Sequence, residues 1–315
     1  MESLVFNQVI TDQYAIYHGD CVQVFRGLPD NSVDYAIFSP PFSSLYVYSS
    51  SHLDMGNARN DEEFYAQFQF LIKELARVVK PGRNVSFHCM QLPTSKERDG
   101  YIGLKDFRGD LIRAFQKEGF IYASEVTIWK DPVTAMQRTK ALGLLHKTVR
   151  GNGSFSRQGI PDFLVTMRAP GDIADADKVR HYRDDAETEL EAEKLGVDPD
   201  SIANQKLPVE EWQQLASPVW MDINPSDTLQ FRSAREHDDE RHICPLQLEV
   251  IRRGIKLWTN PGDVVATPFL GIGSEVYTAV EMGRRGIGAE LKESYFNQAA
   301  KNIASLSQQA DMFAM

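Results

Sequence analysis

The chain has 315 residues, 42% of them hydrophobic, enough to bury a sizeable core in one large domain or in a domain carrying an insertion. Its three cysteines, Cys21, Cys89 and Cys244, lie far apart with no CxxC pair, which argues against a zinc ribbon and a disulfide framework and leaves no metal site to expect. The net charge of -10 weighs against a nucleic-acid partner unless its distribution is uneven; with no leader pattern and no run near the roughly 18 apolar residues that cross a bilayer, a cytoplasmic setting is expected.

In chain order, "CVQVFRGLP" has the apolar spacing of a short helix, and "SVDYAIF" (32–38) is an apolar run bounded by turn residues, the pattern of a buried parallel strand. That strand ends on Ser39-Pro40-Pro41-Phe42. Proline has no amide donor and fixes φ, so two in a row stop the sheet ladder, hold the backbone rigid and leave carbonyls free to accept from something else. "SSLYVYSSSHLDMGN" (43–57), with Tyr46 and Tyr48, follows as a loop. "DEEFYAQFQFLIKELARVVKPG" is a strong amphipathic helix expected to stop at Pro81-Gly82. "NVSFHCM" reads as a strand, "FRGDLIRAFQKEGF" as a helix and "IYASEVTIWK" as a strand, an α/β alternation with right-handed crossovers.

Residues 131–240 break that rhythm and read as an insertion. Between 130 and 168, Lys130, Arg138, Lys140, Lys147, Arg150, Arg157 and Arg168 face only Asp131 and Asp162, a net of +5. From 171 to 200, eleven Asp or Glu stand against four Lys or Arg, a net of -7 that supplies most of the overall deficit. A basic face therefore survives inside an acidic protein. The acidic stretch reads as a solvent-facing helical pair, a dimer contact or a partly disordered insertion. Beyond it, the amphipathic "HICPLQLEVIRRGIKLW" from residue 242 is a helix, and "DVVATPFLGIGSEVYTAVEMGRRGIGAELKESYF" is strand, glycine turn, helix and strand. Gly271 and Gly273 sit where a backbone can approach a ligand at a helix N-terminus. Glu290 follows about 20 residues on, the place of an acid that takes ribose hydroxyls, so a nucleoside site is indicated.

Together these residues resemble the amino-methyltransferases of DNA. "SPPF" (39–42) matches the catalytic [DNS]PP[YFW] motif, "TPFLGIG" (267–273) the cofactor FxGxG motif, and "YHGDCVQVFRGLPDNSVDYAIFSPPF" the stretch leading to the former. The order, catalytic motif first, is that of the family's beta class. The likeness covers about 1–130 and 240–300. It implies a Rossmann-like class I methyltransferase sheet, mostly parallel, doubly wound and circularly permuted. Residues 1–130 would be the catalytic half, 131–240 an inserted target-recognition region and 241–315 the cofactor half.

The resemblance also implies S-adenosyl-L-methionine as cofactor and double-stranded DNA as partner, with a second copy of the chain or a cognate restriction endonuclease as further partners and a solitary phage enzyme as the alternative. Ser39 Oγ and the Pro40 carbonyl would accept from an exocyclic amine, with Pro41 holding the corner and Phe42 stacking on an extruded base. Asp20 would accept from the cofactor's adenine amino group, Glu290 would hold the ribose, and Phe269, Gly271 and Gly273 would line the methionine and ribose end. Thr267 stands where the family usually has the Asp that holds the methionine ammonium. "HICP", with His242, Cys244 and Pro245, lacks the lysine of the usual HPxxKP. Ser39 or Ser274 could compensate; His242 reads equally as a site residue or a capping or core histidine.

Lys140, Lys147, Arg150 and Arg157 are the expected phosphate contacts, and 43–57 the loop over the site. Serine first and phenylalanine fourth in the motif favour cytosine N4 over adenine N6, whose enzymes mostly carry DPPY. Cytosine C5 is disfavoured, since it needs a Pro-Cys nucleophile and the cysteine beside a proline here is Cys244, in the order Cys-Pro. Rival readings are an RNA or protein-glutamine methyltransferase, a nicotinamide oxidoreductase and a non-catalytic DNA-binding module.

Overall fold

The computed structural model describes residues 5–42, 54–133, 150–151, 157–179, 192–193, 196, 209–230 and 245–313. A hairpin comes first, β1 (Val5–Ile10) and β2 (Tyr14–Gly19). It is followed by α1 (Cys21–Arg26), β3 (Val33–Phe38), α2 (Asp61–Val78), β4 (Val79–Met90), the short β5 (Leu92–Pro93), α3 (Lys96–Asp99) and the short β6 (Leu104–Lys105). Then come α4 (Phe107–Lys117), β7 (Ile121–Ile128), β8 (Asp162–Arg168), α5 (Val209–Leu215), β9 (Val219–Trp220) and α6 (Leu248–Trp258). The chain closes with β10 (Val264–Thr267), α7 (Ser274–Glu281), β11 (Arg285–Glu290) and α8 (Glu293–Phe313).

Among the described residues nine strands form one sheet in the order β1-β2-β11-β10-β3-β4-β8-β7-β9. The block β2-β11-β10-β3-β4 is parallel throughout, and β8 runs antiparallel to both β4 and β7. All six residues of β3 are buried, as a strand covered on both faces requires. Ala36 and Phe38 face a core built with α1, α2 and α4, while Tyr35 and Ile37 face one built with α6. Within the first core Phe64 stacks on Phe68 and Phe87 on Phe115, each ring fully buried and contributing on the order of 2–3 kcal/mol.

Three expectations are corrected. The helix α2 ends at Val78 rather than at Pro81-Gly82; the β-branched pair Val78-Val79 turns straight into β4, with Val79 paired to Val33. Pro81 and Gly82 lie within β4, and Gly82 turns the backbone at φ +71° beside Ile173, where a Cβ would sit 2.7 Å from the Ile173 amide. The helix expected from residue 242 begins at Leu248, with Gln247 as its cap. The interval 131–240 is not wholly outside the sheet, because Asp162–Arg168 form β8, wedged between β4 and β7 with six of seven residues buried. At the start of the acidic stretch, the carboxylate of Asp177 pairs with Lys80 at 2.7 Å, and its carbonyl accepts from buried Arg83. The hairpin β1–β2 was not foreseen as strand, yet β2 pairs with β11 over five positions and carries the chain to Asp20.

Candidate active site

In mid-sheet, β10 and β3 run side by side, and the chain leaves them in opposite directions: β10 leads through α7 to β11 on one flank, β3 through α2 to β4 on the other. Crossovers that part this way open a crevice at the strands' carboxyl ends, where ligands of open α/β sheets bind. Here it is a cavity of about 1140 Å³ including its open mouth, lined by the Ser39–Phe42 corner, Pro268–Ile272 of the glycine turn, Asp20 and Glu290.

The wall on the β10–β11 side is acidic. Gly271 takes φ +53° with open space around it, and Gly273, at φ +95°, caps α7 where a Cβ would press within 3.1 Å of Ala299. Both values suit glycine and strain other residues. The Gly271 amide donates to Glu290 Oε2 at 2.8 Å and the Lys292 amide to Oε1 at 2.9 Å, so the turn and the acid hold each other. Burial pushes the Glu290 carboxyl up to about 7 despite those two bonds. Glu275, in the first turn of α7, is buried at the same wall; burial, and then the charge of Glu290, raise it to about 8. Asp20 caps α1, accepting from the Gln23 amide at 2.9 Å, and burial raises its carboxyl above the usual range.

The β3 side is built differently. Phe38 pairs with Phe87 in the parallel ladder, so the next residues, Ser39 and His88, are neighbours, and Ser39 Oγ lies 3.1 Å from His88 Nδ1. His88 sits opposite Leu164, and Asp162 opposite Met90, which puts Asp162 diagonally across from His88 on the same face. Its Oδ2 lies 3.0 Å from His88 Nε2 and pairs with Lys130 as well. Burial works to raise the Asp162 carboxyl, but His88 and Lys130 outweigh it and hold the group below the usual carboxylate range. Phe42 lines the cavity and packs against Phe107 with ring centroids 6.1 Å apart.

Of the residues singled out from the sequence, Asp20, Ser39, Pro40, Pro41, Phe42, Phe269, Gly271 and Glu290 converge on this cavity. Gly273 shapes the turn from behind, and Thr267 is not among the lining residues; it is fully buried, its Oγ1 without a hydrogen-bond partner among the described residues. Arg150 is exposed, while Arg157 is half-buried with its guanidinium donating to the Gln158 carbonyl. Lys130, counted in the basic face, is committed to Asp162. His242, Lys140, Lys147, Cys244, Tyr46 and Tyr48 lie outside the described residues. Sequence reasoning missed Glu275, which directly follows the glycine turn in "GIGSE", and His88, read in "NVSFHCM" only as strand.

A glycine turn, a carboxylate at the end of the next strand and a cavity at the sheet's switch point define a nucleoside-binding enzyme of the doubly wound class. The model of the N6/N4 DNA methylase family matches residues 33–301. The type II methyltransferase M.BglII of Bacillus subtilis is 26% identical over 287 residues, 90% of this chain and 67% of its own length. M.BamHI of Bacillus amyloliquefaciens is likewise 26% identical, with 55% of its length spanned. The DNA adenine methyltransferase YhdJ of Escherichia coli K12 is 22% identical over 91% of this chain and 82% of its own. Among solved structures, a DNA modification methylase of Thermus thermophilus, TTHA0409, complexed with S-adenosyl-L-methionine, superposes at TM-score 0.63 with 20% identity over 93% of this chain and 95% of that one. The PvuII cytosine-N4-specific DNA methyltransferase superposes at 0.56 with 13% identity over 95% and 89%. The chain belongs to the N6/N4 DNA methylase family, enzymes that methylate amino groups of DNA bases with S-adenosylmethionine.

The cavity's donor set fits that cofactor, which supplies a methyl group on a sulfonium. Four carboxylic side chains (Asp20, Asp54, Glu275 and Glu290) face one amine, Lys292, in the lining. Buried carboxyls that can ionise against a bound cation suit a ligand carrying a sulfonium and an ammonium, and oppose the pyrophosphate of a nicotinamide dinucleotide. Among the described residues no helix is long and apolar enough to cross a membrane.

Proposed function

We propose that this chain methylates the N4 amino group of cytosine in double-stranded DNA, with the base turned out of the helix into the cavity between β3 and β10. The observation that carries this is the juxtaposition of the Ser39-Pro40 acceptors with the acid-lined glycine turn in one cavity. An exocyclic amine shares its lone pair with the ring and is a poor nucleophile. Acceptors for its two hydrogens favour the pyramidal nitrogen that can attack the methyl carbon, and Ser39 Oγ and the Pro40 carbonyl provide them. The rigid diproline fixes the pair, so their contribution is orientation rather than proton abstraction: as the nitrogen–methyl bond forms the sulfonium–methyl bond breaks, S-adenosylhomocysteine leaves, and the methylated nitrogen gives its extra proton to water. Phe42 stands at the cavity wall where an extruded base can stack.

On the opposite wall Glu290 receives the ribose hydroxyls and Asp20 the adenine amino group. Glu275 takes the methionine ammonium, the role for which Thr267 offers no charge. Serine at residue 39 with phenylalanine at residue 42 is the form of the motif that supports cytosine over adenine. Arg150 and the basic stretch before it supply phosphate contacts. Incubation with labelled cofactor and mixed-sequence DNA, followed by digestion to nucleosides and mass spectrometry, tests the reading. N4-methylcytosine is expected; N6-methyladenine would reassign the base, and label in 5-methylcytosine or in no base would overturn the proposal.

A further inference from the structure

The contacts behind Ser39 form a continuous chain that methyl transfer alone does not call for. Ser39 Oγ meets His88 Nδ1 at 3.1 Å, His88 Nε2 meets Asp162 Oδ2 at 3.0 Å, and Lys130 pairs with that carboxylate. Four separate places in the fold supply them: the end of β3, the last pleat before the end of β4, the start of β8 and the residue pair after β7. The side chains of His88 and Asp162 are 11% and 4% exposed, so water does not compete for them.

The order of charges fixes the direction of the hydrogen bonds. Nε2 approaches the carboxylate at close range, although too bent to count as a hydrogen bond. A nitrogen lone pair facing that carboxylate would be repelled, so Nε2 carries a proton; with Lys130 already balancing the charge of Asp162, the ring is neutral and Nδ1 is left as an acceptor. The donor Nδ1 faces is the Ser39 hydroxyl. With its hydrogen held by His88, Ser39 has both oxygen lone pairs left for the cavity. The opposite arrangement would point the hydroxyl hydrogen at the amine and engage the very lone pair that must attack the methyl carbon.

We propose that His88 is a positioning residue for methyl transfer: by accepting the Ser39 hydroxyl hydrogen at Nδ1 it makes Ser39 an obligatory acceptor toward the target amine, with Asp162 and Lys130 fixing the imidazole's tautomer and orientation. This rests on the amino-methyltransferase reading above. No proton leaves the chain in this role, so it adds nothing to the stoichiometry of the reaction.

The test compares His88→Leu, which keeps buried volume and removes the acceptor, with His88→Asn, whose Oδ1 stands near the place of Nδ1. Single-turnover methylation of DNA, cofactor binding by calorimetry and thermal melting are measured on each, alone and with Ser39→Ala. The rate of His88→Leu should fall at least about tenfold, the loss of one well-placed hydrogen bond. Its cofactor affinity should be unchanged, and His88→Asn should recover most of the rate. In the Ser39→Ala background His88→Leu should cost little more, because the two residues act as one unit. If His88→Leu melts below the assay temperature, His88→Ala replaces it. A structural role predicts instead that the two losses multiply and that Asn rescues nothing at equal melting temperature; either result, or a variant without acceptor as fast as the wild type, overturns the proposal. A wild type that methylates no DNA amine would sink the functional reading itself, and this one with it.

Discussion

The two walls of the cavity meet their hydrogen-bonding needs in opposite ways. On the β3 side, Ser39, His88, Asp162 and Lys130 engage one another within the chain: Ser39 Oγ is in hydrogen-bond contact with His88 Nδ1, while Asp162 makes a close contact with Nε2 and an ion pair with Lys130. On the β10–β11 side, Glu275 and Glu290 are carboxyls that burial drives toward neutrality, and Ser274 Oγ has no hydrogen-bond partner among the described residues. A wall whose groups already hold one another is rigid before substrate arrives, which is what orientation requires. A wall with unmet electrostatic demand gains most from a ligand that brings hydroxyl donors and positive charge. The contrast assigns reaction to the first wall and binding to the second, and it can be broken wall by wall.

The largest effect belongs to the first. Ser39→Ala should lower kcat by roughly 10²- to 10³-fold, the cost of one preorganised polar partner, with cofactor affinity by calorimetry unchanged. A variant that binds cofactor poorly but turns over normally would reverse the assignment. On the second wall, Glu290→Ala should raise the cofactor Kd by about ten- to a hundredfold, the worth of one or two hydrogen bonds to a charged group. A smaller and more selective loss is expected for Glu275→Gln. It should weaken S-adenosylhomocysteine by about tenfold, as for one charged partner lost, while 5′-methylthioadenosine, which lacks the amino acid, binds as before. Equal weakening of both would remove Glu275 from the ammonium.

The smallest effect is on stability. Glu275 and Glu290 hold their protons to about 8 and about 7 in the folded chain, against 4.5 for an ordinary glutamate. The folded state therefore binds more protons than the unfolded one above pH 4.5, and the free protein should lose stability as pH rises from there through about 8. Melting scans should show a decline of a few degrees over that window, flattened in Glu275→Gln and reversed by saturating cofactor. A rise in melting temperature across the window would contradict the burial of these groups.

Much of this was legible in the sequence because the relevant signals are local. The buried run before Ser39 and the glycine turn before α7 each identify themselves within a dozen residues, and the spacing to Glu290 follows from one strand-helix-strand unit. What escaped is what only pairing can supply. Asp162 reaches His88 through antiparallel register across 74 positions of chain, and nothing around "PDFLVTMR" marks it as the strand that closes the site. The hairpin β1–β2 went unread for the same reason: β2 buries only Ile16 and Gly19, shows no two-residue alternation and is defined by its partner β11. Glu275 was visible, but a glutamate in a first helical turn is ordinary helix chemistry until the cavity is seen on its other side.

A crystal structure of the chain with S-adenosylhomocysteine tests the shared cavity most directly. The account predicts the ribose on Glu290 and the sulfur turned across the crevice toward Ser39 and the Pro40 carbonyl. A ligand seated outside the crevice, or one whose sulfur points away from the diproline corner, would contradict it.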